Sequence, residues 1–140
     1  MRDKIVAGNW KMNLNYEDAI HLATNLNAWV ADNHPIAQVI IAPSSLYLQT
    51  LLEGVDEQYI KISSQDISAH EKGAYTGDIS AEQLDSIGLD FAIIGHSERR
   101  EYQGETNIDI AEKLKQAFKY QINPILCVGE KLEEREAEKH

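Results

Sequence analysis

The 140-residue chain contains one cysteine, Cys127, and three prolines. A single cysteine excludes an internal disulfide and fits a reducing compartment, so a cytoplasmic protein is expected. Positive charge is scarce. Thirteen Lys and Arg stand against 23 Asp and Glu, a formal net charge of −10. Such a surface repels phosphate backbones and excludes nucleic acid as a main partner, although a local positive site can still take a small anion. Long apolar runs are also missing. Ile5-Val6-Ala7-Gly8 is far shorter than the apolar region of a signal peptide, and no stretch approaches the ~18–20 apolar residues of a membrane span. No Cys/His cluster has zinc spacing and no glycine-rich strand–turn–helix suits a dinucleotide, so neither metal nor coenzyme is expected. Repeats, low-complexity tracts and linkers are absent. What is present is ordinary: 43% hydrophobic and 26% charged residues, in a chain long enough for one domain with a real core.

Strand-like and helix-like segments alternate. Lys4 to Gly8 reads as a short buried strand. Ala19, Ile20, Ala23, Leu26, Trp29 and Val30 recur at helical spacing over Tyr16 to Ala31, with Asn15 as N-cap and His34-Pro35 as the break. Val39 to Ala42 is a second strand. Ser44 or Ser45 opens a short helix through Leu52, closed by Gly54. Tyr59 to Ser64 is a third strand, followed by a long loop from Gln65 to Asp78. Ser80-Ala81-Glu82-Gln83 fits a capping box opening a helix that ends at Gly88. Phe91 to Ile94 is a fourth strand. Asn107 to Tyr120 is a helix whose apolar positions include Ile110, Ala111, Leu114, Ala117 and Phe118. Ile122 to Val128 holds a fifth strand, and Gly129 to His140 begins another helix. Strict alternation, with strands apolar on both faces, implies an α/β fold with a parallel sheet and right-handed crossovers.

Working residues of parallel sheets stand at the carboxyl ends of strands. Asn9 and Lys11 occupy that place after the first strand, in Ala7-Gly8-Asn9-Trp10-Lys11-Met12-Asn13. His96 occupies it after the fourth, in Gly95-His96-Ser97-Glu98-Arg99-Arg100. An ammonium there can neutralise a phosphate or a developing enolate oxygen, and an imidazole at the same edge can donate or shuttle a proton. The helical turn expected after His96 would disfavour a protonated ring. Taken singly, the lysine reads as a solvated charge and the histidine as structural, as do His21, His34, His70 and His140. Cys127 by itself reads as a small core residue and the Glu/Lys-rich tail as a solvated helix face. Coincidence at one sheet edge singles out Asn9, Lys11 and His96. Spacing alone leaves catalysis and structure both open.

Four segments carry a resemblance. Ala7–Asn13 resembles the substrate-lysine segment of the triosephosphate isomerase family. Gly73-Ala74-Tyr75-Thr76-Gly77-Asp78-Ile79-Ser80 resembles its dimer loop, and Ile94–Arg100 its catalytic-histidine segment. Cys127-Val128-Gly129-Glu130, with Leu132-Glu133-Glu134-Arg135, resembles the turn after its fifth strand. The resemblance implies interconversion of dihydroxyacetone phosphate and glyceraldehyde 3-phosphate by a cofactor-free homodimer acting on a phosphorylated triose. It makes Lys11 the residue on the substrate phosphate side that stabilises the enediolate, Asn9 an orienting hydrogen-bond partner, and His96 the neutral electrophile. Glu98 would pair with Lys11. Ser97, Cys127 and Glu130 take supporting places. Gln65, Tyr75 and Thr76 belong to the dimer loop, with Thr76 reaching the partner's site.

Two small departures accompany it. Asp78 stands where the family usually has Glu, and Gln103 where an aromatic is common. The larger departure is length, since a (β/α)8 barrel needs about 250 residues. Residues 1–140 match the N-terminal part of one barrel domain, its first five parallel strands with their helices. The family's catalytic glutamate and glycine-rich phosphate loops have no counterpart here, and Glu130, Glu133 and Glu134 do not replace that base. The isolated chain is therefore expected to be inactive, or to act as a partial barrel that assembles with a complementary chain or with itself.

Overall fold

The computed structural model describes residues 4–130 and 132–137. The end of the helix expected to reach His140 lies outside them. Five strands form one parallel sheet in chain order: β1 (Ile5–Asn9), β2 (Gln38–Ala42), β3 (Ile60–Ser64), β4 (Phe91–Ile94) and β5 (Asn123–Leu126). Registers such as Val6 opposite Val39, Val39 opposite Ile60, and Ile93 opposite Ile125 bring all five carboxyl ends to one edge. Helices α1 (Tyr16–Asn33), α2 (Leu48–Gly54), α3 (Ala81–Ser86), α4 (Ser97–Tyr102), α5 (Asn107–Lys119) and α6 (Leu132–Glu136) connect or follow the strands. Sequential parallel pairing, with a helix in every connection, is the expected partial barrel.

Local chemistry starts and stops these helices where the sequence predicts. The Asn15 side chain accepts from the Asp18 amide at 3.0 Å, satisfying one of the orphan donors of α1. His34 ends that helix in the left-handed region, donating its N–H to the Val30 carbonyl. Ser80 and Gln83 close the capping box of α3, and Thr106 with Asp109 close a second one at α5. At α2 the expectation was looser. Neither serine caps it through its side chain, and a single 3-10 turn at Ser45–Tyr47 leads in instead.

The core lies around the inner strands and the helices packed on them. Ile41, Ile60, Ile62 and Ile94 from β2, β3 and β4 are essentially fully buried in one cluster with Leu51, Leu84 and Ile122, and Ile40 is equally buried outside it. Fully burying one such side chain is worth about 1.5–3 kcal/mol. Two expectations need correction, on β1 and on α5. β1 is not buried: Ile5 is 52% and Val6 60% exposed, because β1 is an edge strand with β2 as its one neighbour. The fifth strand lies within Ile122 to Val128 as expected, and at this opposite edge Pro124 is tolerated because a missing N–H there need cost no ladder bond. On α5 the buried positions are Ile110, Lys113 and Ala117. Ala111 and Phe118 each lie one residue, about 100° of helical rotation, past that face and are exposed.

Candidate active site

β1 delivers Asn9 and Lys11 to the carboxyl edge. Trp10 extends the β1–β2 pairing by donating its N–H to the Ala42 carbonyl at 3.0 Å. The chain then turns away through Lys11, whose φ of +55° lies in the left-handed region. Hydrogen bonds hold that turn from several directions. Asn9 Oδ1 accepts from the Lys11 amide at 2.9 Å. Asn13 Nδ2 donates to the Trp10 carbonyl at 2.9 Å. Gln65 Nε2 donates to the carbonyls of Lys11 at 2.8 Å and Ala42 at 2.9 Å.

β4 delivers the second half of the site. Gly95 turns the chain with φ +74°, and His96 becomes the N-cap of α4. Its Nδ1 accepts from the Glu98 amide at 3.2 Å. A nitrogen accepting an N–H bond carries no proton, so the neutral ring holds its proton on Nε2. Glu98 then connects the two strand ends. Oε1 accepts a hydrogen bond from Lys11 Nζ, and Oε2 lies 3.5 Å from His96 Nδ1. The Lys11 ammonium holds the Glu98 carboxyl below the ordinary carboxylate range. The three side chains are partly open: 47% exposed for Lys11, 43% for Glu98 and 22% for His96. An ammonium and an imidazole, both held by Glu98, therefore stand at one sheet edge in reach of a small solute.

The other expected residues are placed as follows. Ser97 is exposed at the first position of α4. Cys127 continues the β4–β5 ladder, its N–H bonded to the Ile94 carbonyl at 2.9 Å. Burial pushes its thiol above the ordinary range, so it has the character of a packing residue and not of a thiolate nucleophile. Glu130 pairs with Arg135 of α6 at 2.6 Å. Tyr75 and Thr76 are exposed at the tip of the loop after β3, where Tyr75 stacks on His70 at 3.8 Å between centroids. That loop is internally bonded: the Ser68 amide donates to the Ile79 carbonyl and its hydroxyl to Asp78. Gln65 is different. It sits at the base of the loop, and both its amide bonds go to the Lys11 turn and the end of β2.

Arg100 is a residue the sequence did not single out. Its guanidinium donates to the Gly95 carbonyl at 2.7 Å, Asn107 Oδ1 at 2.7 Å and the Cys127 carbonyl at 3.3 Å. It thereby fastens the turn before His96 to α5 and to the end of β5. Its position beside Arg99 carried no signal of this. Among the described residues no group of three or more His, Cys, Asp or Glu side chains is arranged to hold a metal.

A parallel sheet built of β/α units, with a lysine and a histidine held at its carboxyl edge, defines a protein of the β/α-barrel class. The profile of the triosephosphate isomerase family matches residues 4–140. The chain is 44% identical over 137 residues to the triosephosphate isomerase of Chloroherpeton thalassium, which covers 98% of this chain and 54% of that protein. It is 43% identical over 137 residues to that of Clostridium acetobutylicum, with the same coverage. Against the triosephosphate isomerase of Phocaeicola vulgatus it is 44% identical over 139 residues, covering 99% of this chain and 55% of that one. The chain belongs to the triosephosphate isomerase family. It spans about half the length of the curated relatives it matches.

Proposed function

We propose that this chain supplies the lysine, asparagine and histidine of a site interconverting dihydroxyacetone phosphate and glyceraldehyde 3-phosphate through an enediolate. One observation carries the reading: Glu98 holds the Lys11 ammonium with its carboxylate and the His96 ring with its amide. Loss of a proton from the carbon beside a carbonyl puts negative charge on oxygen. Lys11 opposes that charge, and His96 Nε2–H donates to the same oxygen as it forms. The ring then recovers a proton from the neighbouring hydroxyl, and the carbon-bound proton returns to the adjacent carbon. Ketose and aldose interchange with no net proton or electron. Asn9 fixes the Lys11 amide. The base that handles the carbon proton is assigned to none of these residues, since Glu98 is engaged by Lys11 and Glu130 by Arg135.

The test is a chimera in which this chain replaces the matched 137 residues of the Chloroherpeton thalassium relative. The chimera should turn over triose phosphate, and Lys11→Met and His96→Asn should each lower kcat by about 10²–10⁴ without loss of fold. A folded chimera that is inactive, or indifferent to both changes, defeats the reading.

We further propose a cytoplasmic homodimer joined through the loop Gln65–Asp78. The internal bonding of this loop and the exposed Tyr75 and Thr76 at its tip support that role. No helix among the described residues is long and apolar enough to cross a membrane. Assembly of the chain as a partial barrel, with itself or a complementary chain, is a second reading favoured by the exposed edge strand β1.

A further inference from the structure

α5 carries a lysine where its apolar face should continue. The Lys113 side chain is only 6% exposed. Its Nζ donates to both oxygens of Asp66, at 2.7 and 2.8 Å, and to Glu105 Oε1 at 2.5 Å. Arg99 Nε lies 2.9 Å from Asp66 Oδ2 and 2.6 Å from Glu105 Oε1. Two cations and two carboxylates thus form a closed quartet, buried at Lys113 and Glu105 and open to solvent at Arg99. Glu105 serves both cations through one oxygen, while its Oε2 is buried without a hydrogen-bond partner. A buried ionic cluster is weak evidence for stability, because well-packed apolar side chains often do as well or better in its place. Its location is more informative.

Asp66 directly follows Gln65, and Arg99 directly follows Glu98. Those two neighbours are the side chains that reach Lys11 from other strands: Gln65 holds its carbonyl and Glu98 its ammonium, while Asn9 of β1 holds its amide. Lys11 also keeps a left-handed backbone, which a non-glycine residue retains only when its surroundings hold it. The quartet therefore ties together the bases of the two arms that grip Lys11, and anchors both on α5.

We propose that Lys113, Asp66, Glu105 and Arg99 are positioning residues for Lys11, acting through Gln65 and Glu98. This rests on the reading of Lys11 as the substrate-facing ammonium. Without the quartet, Gln65 and Glu98 remain in the chain, but their backbones are no longer fixed relative to each other. Lys11 then samples ordinary negative φ and its ammonium moves away from His96.

The experiment compares the wild-type chain with Asp66→Asn and Glu105→Gln by NMR, with Lys61→Met as control. Lys61 also pairs with two carboxylates, Glu57 and Asp90, but makes no bond to the Lys11 arms. In the two quartet variants the Cα and Cβ shifts of Lys11 should lose their left-handed signature, and solvent exchange of the Gln65 side-chain amide should rise about tenfold. The control should change neither. If one quartet variant does not fold, the other gives the same reading. Variants that unfold earlier, yet keep wild-type Lys11 shifts and Gln65 exchange, would reduce the quartet to structure and overturn the proposal. Turnover of triose phosphate by the chimera described above separates the two ideas. A folded chimera that is inactive counts against the substrate-site reading, while the Lys11 shifts and Gln65 exchange rates of the chain still decide the positioning role.

Discussion

At the scale of single residues, the site depends on backbone conformations that side chains rarely accept. Gly95 has φ +74°, and a Cβ there would lie 3.0 Å from Ile110 Cδ1 and 3.1 Å from Arg100 Nη2. Gly88 has a comparable φ of +80° but open space around it. Replacing each with alanine separates strain from crowding. Gly88→Ala should cost about 1–2 kcal/mol for the left-handed conformation alone. Gly95→Ala should cost roughly 1–3 kcal/mol more, because Ile110 is buried and Arg100 is bonded to the Gly95 carbonyl itself. Urea denaturation midpoints measure the difference, and equal losses would mean that the His96 turn is less tightly packed than described.

At the scale of elements, α5 organises the region behind the site. Besides Lys113 it presents Lys119, and its C-cap residue Tyr120, to the loop after β3. Lys119 Nζ lies 2.7 Å from Glu71 Oε2, and the Tyr120 hydroxyl donates to Glu71 Oε1. That acceptor opposes ionisation and pushes the phenol from its ordinary 10.0 up to about 12. The sign follows directly. Below pH ~10 the phenol is protonated in both folded and unfolded chains, and the bond contributes fully. Between there and about 12 the unfolded phenol ionises first, so the contribution fades as pH rises through the folded value. Spectrophotometric titration of the six tyrosines should show a late-ionising component that Tyr120→Phe removes. A titration unaltered by the substitution, apart from one phenol fewer, would mean that the clamp does not hold in solution.

At the scale of the whole molecule, the open sheet is the dominant fact. β1 and β5 each pair on one side, and apolar groups at these ends lie exposed, including Ile5, Val6, Leu126 and Val128. Edge strands with free N–H and C=O groups template further pairing. The 140-residue chain should therefore self-associate as its concentration rises, seen as an increasing weight-average sedimentation coefficient. Val6→Lys should reduce that association with little loss of fold, since Val6 is already 60% exposed. A wild-type chain that sediments as one monomer at all concentrations would sink this prediction.

Much of this molecule is written in short stretches of chain. Asn15 to Asp18 and Ser80 to Gln83 cap helices through bonds spanning three residues, so residue type and spacing suffice to find them. The strand-end places of Asn9, Lys11 and His96 follow from apolar runs and from the parallel order that alternation imposes. The remainder depends on neighbours distant in sequence. That Gln65 holds the Lys11 turn is a contact across 54 positions, and the Lys11–Glu98 bond, which the sequence offered only by resemblance, spans 87. The exposure of β1 depends on which strands flank it, a property its own five residues do not contain. Lys113 shows the limit most directly. By residue type it belongs on a solvated face, and only when the loop after β3, the first turn of α4 and the link from α4 to α5 converge do Asp66, Arg99 and Glu105 form the surroundings in which it is buried. Sequence determined the elements and the chemical groups at their ends, because capping, periodicity and turn chemistry act within a few residues. Tertiary structure decided which groups are held, by what, and how deeply, because burial and charge pairing arise between elements only after the sheet has brought them together.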